Sequence, residues 1–305
     1  MRRLPLLVPA LAVLLAVTAC GAERAGDTGA GSGTGRSVPS ASPSASPVTD
    51  PGIDGVRVTS VTLPPAPSPR PSGDYVVRPD SLARLTAAYE VVNKGAEAMT
   101  YTVTVSFRSA SGEAMDNRTV TVDAVAPGKT VTGTTEVIGV AGAVTAKVVE
   151  VAKVPTAEAP STGGACPPSG VRVYADRGDA AMGLRVVGIH LENCGTTPYV
   201  LDGYPELTLL DDQHRTVDGI EILKGTGDIP MAPDSAPPTR ITLKPGERAR
   251  SGLAWRNTTG FGDAENVPYV RVRAKPGAAP VVISPSLDLG TTGQLGVGAW
   301  EPEKR

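Results

Sequence analysis

Short runs that alternate apolar and polar residues, each closed by glycine, proline or asparagine, fill most of this 305-residue chain. Met99-Thr-Tyr-Thr-Val-Thr-Val-Ser-Phe107 is the clearest of them. A period of two places every apolar side chain on one face of an extended strand, whereas a helix would need them three and four apart. The same alternation predicts strands from Ile53 through 56–63 and at 118–125, 129–137 and 144–151. It recurs at 171–174, 183–191, 199–201, 206–210, 239–243, 248–255, 269–274 and 281–283. The run 82–92 also admits a helix, but its β-branched residues and Tyr89 favour a strand. With 35 Gly, 29 Pro and 4% aromatics, the chain is all-β, with thin cores of Val, Ile, Leu and Thr.

The strands fall into two sets that share turn chemistry. Asn93-Lys94-Gly95 closes an early strand of the first set, and Pro127-Gly128 opens a later one. Asn193-Cys194-Gly195 and Pro245-Gly246 fill the same slots in the second. Asn and Gly tolerate positive φ at a strand end, and Pro-Gly presets a tight turn. We therefore expect two tandem immunoglobulin-like β-sandwiches, at 53–154 and 165–305, joined by a linker at 155–164. The first contains a proline-rich loop at 64–73. The second carries a Gly-, Pro- and Asp-rich insertion at 219–238 that reads as a surface loop.

Ahead of the sandwiches, Arg2 and Arg3 precede an apolar run from Leu4 to Ala16 that is too short to span a bilayer, which takes roughly 20 residues. This is the pattern of an export signal, drawn here at 1–19. Its end, Val17-Thr18-Ala19-Cys20, resembles the lipobox of bacterial lipoproteins, in which the cysteine takes a diacylglycerol on its sulfur before cleavage. The resemblance makes Cys20 a lipid anchor on the extracytoplasmic face of the cell membrane. Residues 20–52, rich in Gly, Ser and Pro, cannot bury a core and read as a disordered tether of roughly 30 Å root-mean-square span.

Outside the cytosol, the remaining cysteines, Cys166 and Cys194, are expected to pair as a disulfide. A zinc site would need more ligands than His190 and His214 supply, and neither a C-x-x-C nor an H-x-x-x-H spacing occurs. No metal or cofactor is expected. Net charge is -2, and removal of Arg2 and Arg3 makes it about two units more negative, so a nucleic-acid partner is not expected. The excess of Arg over Lys, with abundant Ala, Gly and Pro, is the bias of a GC-rich genome such as an actinobacterial one.

Cys166, Gly183-Leu184-Arg185, Asn193-Cys194-Gly195, Leu201-Asp-Gly203-Tyr204-Pro205, Leu243-Lys-Pro245-Gly246, Trp255 and Leu287-Asp-Leu-Gly-Thr-Thr-Gly293 together resemble a secreted actinobacterial family, domain of unknown function forty-two thirty-two. The resemblance covers 164–302 and implies a β-sandwich on a lipoprotein or membrane-tethered chain, with no established activity. The family carries a cysteine just before its Leu-x-Gly-Tyr-Pro string, where this chain has Tyr199 and places its cysteine five residues earlier, at Cys194. The second, C-terminal cysteine pair of many members is missing.

Candidate chemistry is sparse. The chain has no G-x-S-x-G, no H-E-x-x-H and no phosphate loop ending in Lys-Ser or Lys-Thr. His190 sits on a core strand and reads as structural; His214 lies in Asp211-Asp212-Gln213-His214-Arg215, a hairpin tip that with Asp218 reads as a solvated turn rather than a calcium loop. Asn117 and Asn257 match the glycosylation pattern, which carries no meaning in a bacterium. For binding, the insertion and the aromatics Tyr199, Tyr204, Trp255 and Trp300 are the candidates, although Trp255 reads as core and Tyr204 as packing a corner. The expected protein is a non-catalytic binding or adaptor module for a protein or cell-envelope polymer. The alternatives are a carbohydrate-processing hydrolase with an unrecognised carboxylate pair, or a structural spacer of an envelope complex.

Overall fold

The computed structural model describes residues 45–63, 84–140 and 142–303. Cys20, the signal, the proline-rich loop and the tether up to residue 44 lie outside the described residues. The chain folds into two β-sandwiches, as the alternation predicts.

The first sandwich comprises β1 (Ala45–Pro47), β2 (Val56–Thr62), β3 (Arg84–Val92), β4 (Met99–Ser109), β5 (Ala114–Val125), β6 (Thr130–Ile138) and β7 (Ala143–Pro155). They form a four-stranded sheet in the order β1-β2-β3-β6 and a three-stranded sheet, β5-β4-β7. The period-two pattern of β4 buries Tyr101, Val103, Val105 and Phe107 against Val56, Val58, Leu85, Ala87 and Val91 of the facing sheet. Folded structure begins earlier than the sequence suggests. Ala45–Pro47 pairs with β2, and Asp50, read as tether, is buried. Its Oδ2 accepts from the Val58 amide at 2.8 Å and the Val148 amide at 3.0 Å, and Oδ1 accepts from Gly52. Both strands slip register near those amides, so one carboxylate satisfies a donor on a strand of each sheet. A Gly/Ser/Pro-rich composition hid a structural aspartate.

The second sandwich comprises β8 (Val171–Ala175), β9 (Asp179–Ala181), β10 (Leu184–Asn193), β11 (Tyr199–Asp202), β12 (Glu206–Leu210), β13 (Glu221–Lys224), β14 (Arg240–Leu243), β15 (Arg248–Arg256), β16 (Glu265–Val267), β17 (Tyr269–Arg273), β18 (Pro280–Ile283), β19 (Leu287–Gly290), β20 (Gln294–Val297) and β21 (Glu301–Pro302). One sheet runs β13-β20-β15-β10-β8, with β21 also on β15 and β9 on β10; the facing layer is β12-β17-β18 with the pairs β11-β14 and β16-β19. Its core gathers Ile189, Leu191, Leu253, Val270, Leu287, Leu289, Leu295 and both tryptophans.

The shared corner is real and atomic. The Asn93 amide side chain donates to the carbonyls of Glu97 and Val125, both at 2.7 Å, and its oxygen accepts from Gly95. Asn193 donates to Thr197 and Leu243, both at 2.9 Å, and accepts from Gly195. Each asparagine also exchanges backbone bonds with the Pro-Gly turn, through Gly128 and Lys129 in one case and Gly246 and Glu247 in the other. Cys166 and Cys194 form the expected disulfide, with Cα atoms 5.6 Å apart.

Two expectations about connections need correction. The stretch 155–164 is not a free linker: β7 runs to Pro155, a 3-10 turn follows at Thr156–Glu158, and Glu158 pairs with Arg271 at 2.7 Å. Val154, Leu210, Tyr269 and Val282 bury one another there, and the Lys153 amide donates to the Tyr269 hydroxyl at 3.1 Å. The insertion 219–238 is not a bare surface loop either. Its β13 adds in parallel to β20, and Thr226 and Ile229 are buried beyond it. A buried isoleucine and a strand register are what a Gly- and Pro-rich composition conceals.

Candidate binding cleft

The cleft forms on the outer face of the β10·β15 sheet because that face lacks side chains where the two strands meet. Gly188 pairs directly with Gly252, and the Gly298 amide donates to the Gly252 carbonyl at 2.8 Å, so three adjacent strand segments present bare backbone. The insertion crosses above them, with Thr226, Pro233, Asp234 and Ser235 as its wall. The cleft is open on one side, with a volume of about 260 Å³. Each glycine has its own steric setting. A Cβ on Gly188 would meet the Asp176 carboxylate at 2.3 Å, whereas one on Gly252 meets nothing nearer than 4.0 Å. Gly252 is therefore the open centre of the floor.

Charged side chains close one end, and each has a partner. His190 stacks on Tyr174, with ring centroids 5.1 Å apart and planes 13° apart. Its Nε2 faces Asp176 Oδ2 at 3.3 Å and its Nδ1 faces Glu303 at 3.3 Å, so carboxylates occupy both ring nitrogens. Asp176 is itself fixed by the amides of Gly178 and Gly188, both at 2.8 Å. Arg250 lies 3.7 Å from Glu301, whose other oxygen accepts from the Ala236 amide of the insertion. Burial raises the Tyr174 pKa, and the nearby Arg248 opposes that rise. A base in catalysis needs a lone pair turned to its substrate. This imidazole is held between two acceptors, which makes it a positioned wall rather than a free base. Among the described residues, no group of three His, Cys, Asp or Glu is arranged to hold a metal ion.

The other sequence candidates lie elsewhere. Trp255 and Trp300 are core residues: their indole nitrogens donate to Asp288 at 2.8 Å and to the Ala274 carbonyl at 2.9 Å. Neither offers a rim to a ligand. Tyr204 packs on the same core, half-buried. Tyr199 is half-buried under the Lys275 ammonium, 4.0 Å from its ring centre, and burial raises its pKa. The tip 211–215 is more than a solvated turn. Asp211 is tied to Arg215 by bonds from that residue's backbone and side chain, which lower its pKa, while His214 turns inward with φ +59° to donate to the Lys153 carbonyl at 2.9 Å. His214 also meets Tyr269 edge-on at 4.7 Å, so the tip helps join the two sandwiches. The Asn117 side chain is exposed, and Asn257 donates to Asp288.

Sequence reasoning named His190 but missed the site around it. A glycine within a strand reads as a weak point, and only the register sets Gly188 beside Gly252.

No curated protein matches this chain. A similarity to the crystal structure of red sea bream transglutaminase spans 73% of this chain but 29% of that one, at 13% identity and a TM-score of 0.18, and carries no argument. Residues 166–301, which contain the glycine floor, His190 and the insertion, match the family model described as Domain of unknown function (DUF4232).

Proposed function

We propose that the protein is a lipid-anchored, extracytoplasmic binding or adaptor module, held on the membrane through Cys20, whose cleft takes one unit of a cell-envelope polymer or a short segment of a partner protein. The observation that carries this reading is the glycine floor beneath the insertion. A flat stretch of backbone amides and carbonyls, apolar where Val186 and Ala254 border it and charged at one end, suits a sugar ring or an extended peptide lying face down. Ligand pockets generally start at roughly 300 Å³, so the occupant is small or projects beyond the cleft. A binding role is favoured over hydrolysis by the engagement of both His190 nitrogens and of the Arg250 and Glu301 side chains.

Two measurements test it. Cys20→Ser should abolish labelling by radioactive fatty acid and release the protein from membranes; full labelling would refute the anchor. For the cleft, Gly252→Phe places its Cβ no nearer than 4.0 Å to any neighbour and its ring in the open centre, so binding to purified wall polymer or to envelope protein should drop at least tenfold while thermal unfolding holds. Equal binding by both forms would move the site elsewhere. Release of new reducing ends from the polymer would replace the binding role with the hydrolase.

A further inference from the structure

Three apolar side chains project from one end of the second sandwich, and neither the core nor the cleft uses them. Met182 is 81% exposed, Met231 is 66% exposed and Phe261 is fully exposed. Each sits on a different turn: between β9 and β10, in the insertion, and in the loop after β15. The end of β15 brings them together. The Arg256 guanidinium lies 3.9 Å from the Met231 sulfur and 3.5 Å from where a Cβ on Gly183 would stand, next to Met182. Phe261 lies in the loop that leaves Arg256 and Asn257, beside Gly260, whose amide donates to Thr291 of the turn between β19 and β20.

Two further observations point to a use. Met182 and Met231 hold φ at +48° and +67°, a left-handed conformation disfavoured for any residue but glycine, asparagine or aspartate. The sequence therefore keeps a large apolar side chain at two turn positions where the backbone favours a small or polar one. Among the described residues, Arg256 forms no ion pair with a carboxylate, so its cation lies beside Met231 and the Met182 turn without a counter-charge in contact.

We propose that these tips form a membrane-contact surface, in which Phe261, Met182 and Met231 enter the boundary between headgroups and acyl chains and Arg256 pairs with a lipid phosphate. Separate knobs leave no groove for a peptide, while a fluid interface accepts them without shape complementarity. Chain length supplies the occupant. About 25 residues lie between Cys20 and β1. This part of the argument rests on the anchored reading, because a lipid on Cys20 keeps the body beside a bilayer throughout. The contact would then fix which way the cleft faces.

The test uses the mature chain, residues 20–305, carrying Cys20→Ser and hence no lipid, so that its outcome is independent of whether Cys20 is acylated. It is floated with vesicles of phosphatidylcholine, with and without phosphatidylglycerol. Binding to both is expected, strengthened by the anionic lipid. Combined Met182→Asn, Met231→Asn and Phe261→Ser should weaken it about tenfold or more, with asparagine chosen because it accepts the left-handed backbone. Phe261→Ser alone, at a fully exposed position, guards against misfolding of the triple variant and should weaken binding measurably. Arg256→Ala should remove the gain from phosphatidylglycerol. Absence of flotation, or flotation unchanged in the loop variants, would overturn the proposal. Sedimentation showing a concentration-dependent dimer that Phe261→Ser dissolves, without flotation, would likewise reject the membrane and assign the surface to a second copy of the chain.

Discussion

Asn93 and Asn193 hold the same station in the two sandwiches and make matching bonds, yet the surrounding closure differs. In the first sandwich, the buried Asp50 carboxylate ties β2 to β7 through their amides. In the second, the residue after Asn193 is Cys194, bonded to Cys166 in the segment that enters β8. The corner itself is local chemistry: a short amide side chain caps carbonyls that would otherwise be buried without donors. Hydrogen bonds close the seam between the two sheets of the first sandwich, whereas the covalent bond of the second ties the ends of β8 and β10, neighbours in one sheet. A covalent tie also suits the domain with more to hold, since seven strand segments crowd its larger sheet and an insertion crosses it.

Reduction should break the comparison most strongly. The disulfide closes a separation of 28 residues, for which chain entropy gives about 3.5 kcal/mol. Both tryptophans lie in the second core, so tryptophan fluorescence in urea reports that domain alone. Reductant, or Cys166→Ser with Cys194→Ser, should shift that transition by about 3 to 4 kcal/mol and leave the unfolding of the first sandwich in place. Equal shifts in both domains would mean that they unfold as one unit.

Next in size is the corner. Asn93→Ala leaves the Glu97 and Val125 carbonyls and the Gly95 amide without their partner, for about 2 to 3 kcal/mol. Asn193→Ala should cost about the same with the disulfide intact, because the bridge constrains the unfolded chain and makes none of those bonds. A loss below about 1 kcal/mol at either site would show that water replaces the side chain.

How much of this could be read beforehand follows from where each signal originates. Period two in β4 and in 248–255 reflects a sheet with one face on a core, and those strands stand where the alternation put them. Asn-x-Gly and Pro-Gly were legible as a repeated corner because the bonds join neighbours in sequence or the two ends of one strand pair. Segments such as β13, β16, β19, β20 and β21 are two to four residues long, and what makes them strands is a distant partner: β13 pairs in parallel with β20, some 70 residues on. Trp300 looked like a rim residue for the same reason, since the Ala274 carbonyl and the core that receive it come from other strands. The cleft was least legible. Its floor is made of missing side chains, and the tip that carries His214 looked solvated because the first sandwich covers it.

The junction offers a smaller effect, of about 1 kcal/mol, which pH should expose. Burial lowers the His214 pKa below 6.5; the Lys153 ammonium and the Arg271 guanidinium push the same way, while the bond to the Lys153 carbonyl and the charge of Glu97 oppose it. The folded state thus binds fewer protons than the unfolded one near pH 6. The contribution of His214 is complete above pH 6.5 and is lost as pH falls through the lower folded value. His214→Asn keeps the left-handed backbone but removes the ring. It should cost about 1 kcal/mol at neutral pH and flatten the decline on acidification, as read by the midpoint of urea unfolding. An unchanged pH profile would take His214 out of the junction's energetics.

Charge pairs across neighbouring strands give the smallest contrast. Glu90 on β3 meets one half-exposed arginine, Arg57, at 2.7 Å, whereas Glu192 on β10 meets two, Arg172 at 3.3 Å and Arg248 at 3.2 Å. An exposed pair contributes roughly 0 to 0.5 kcal/mol, so Glu90→Gln should be nearly silent in chemical unfolding. Arg172 is mostly buried, and its Nε has no partner even with Glu192 in place. Glu192→Gln takes the only carboxylate from that guanidinium, leaving it the Gly164 carbonyl, and should cost about 1 kcal/mol more than Glu90→Gln. Adding Arg172→Met should recover most of the loss, because it removes the buried charge and keeps an unbranched side chain of similar reach. If the double variant stays as unstable as Glu192→Gln alone, the cost lies with Arg248, and the two strands differ in packing rather than in charge.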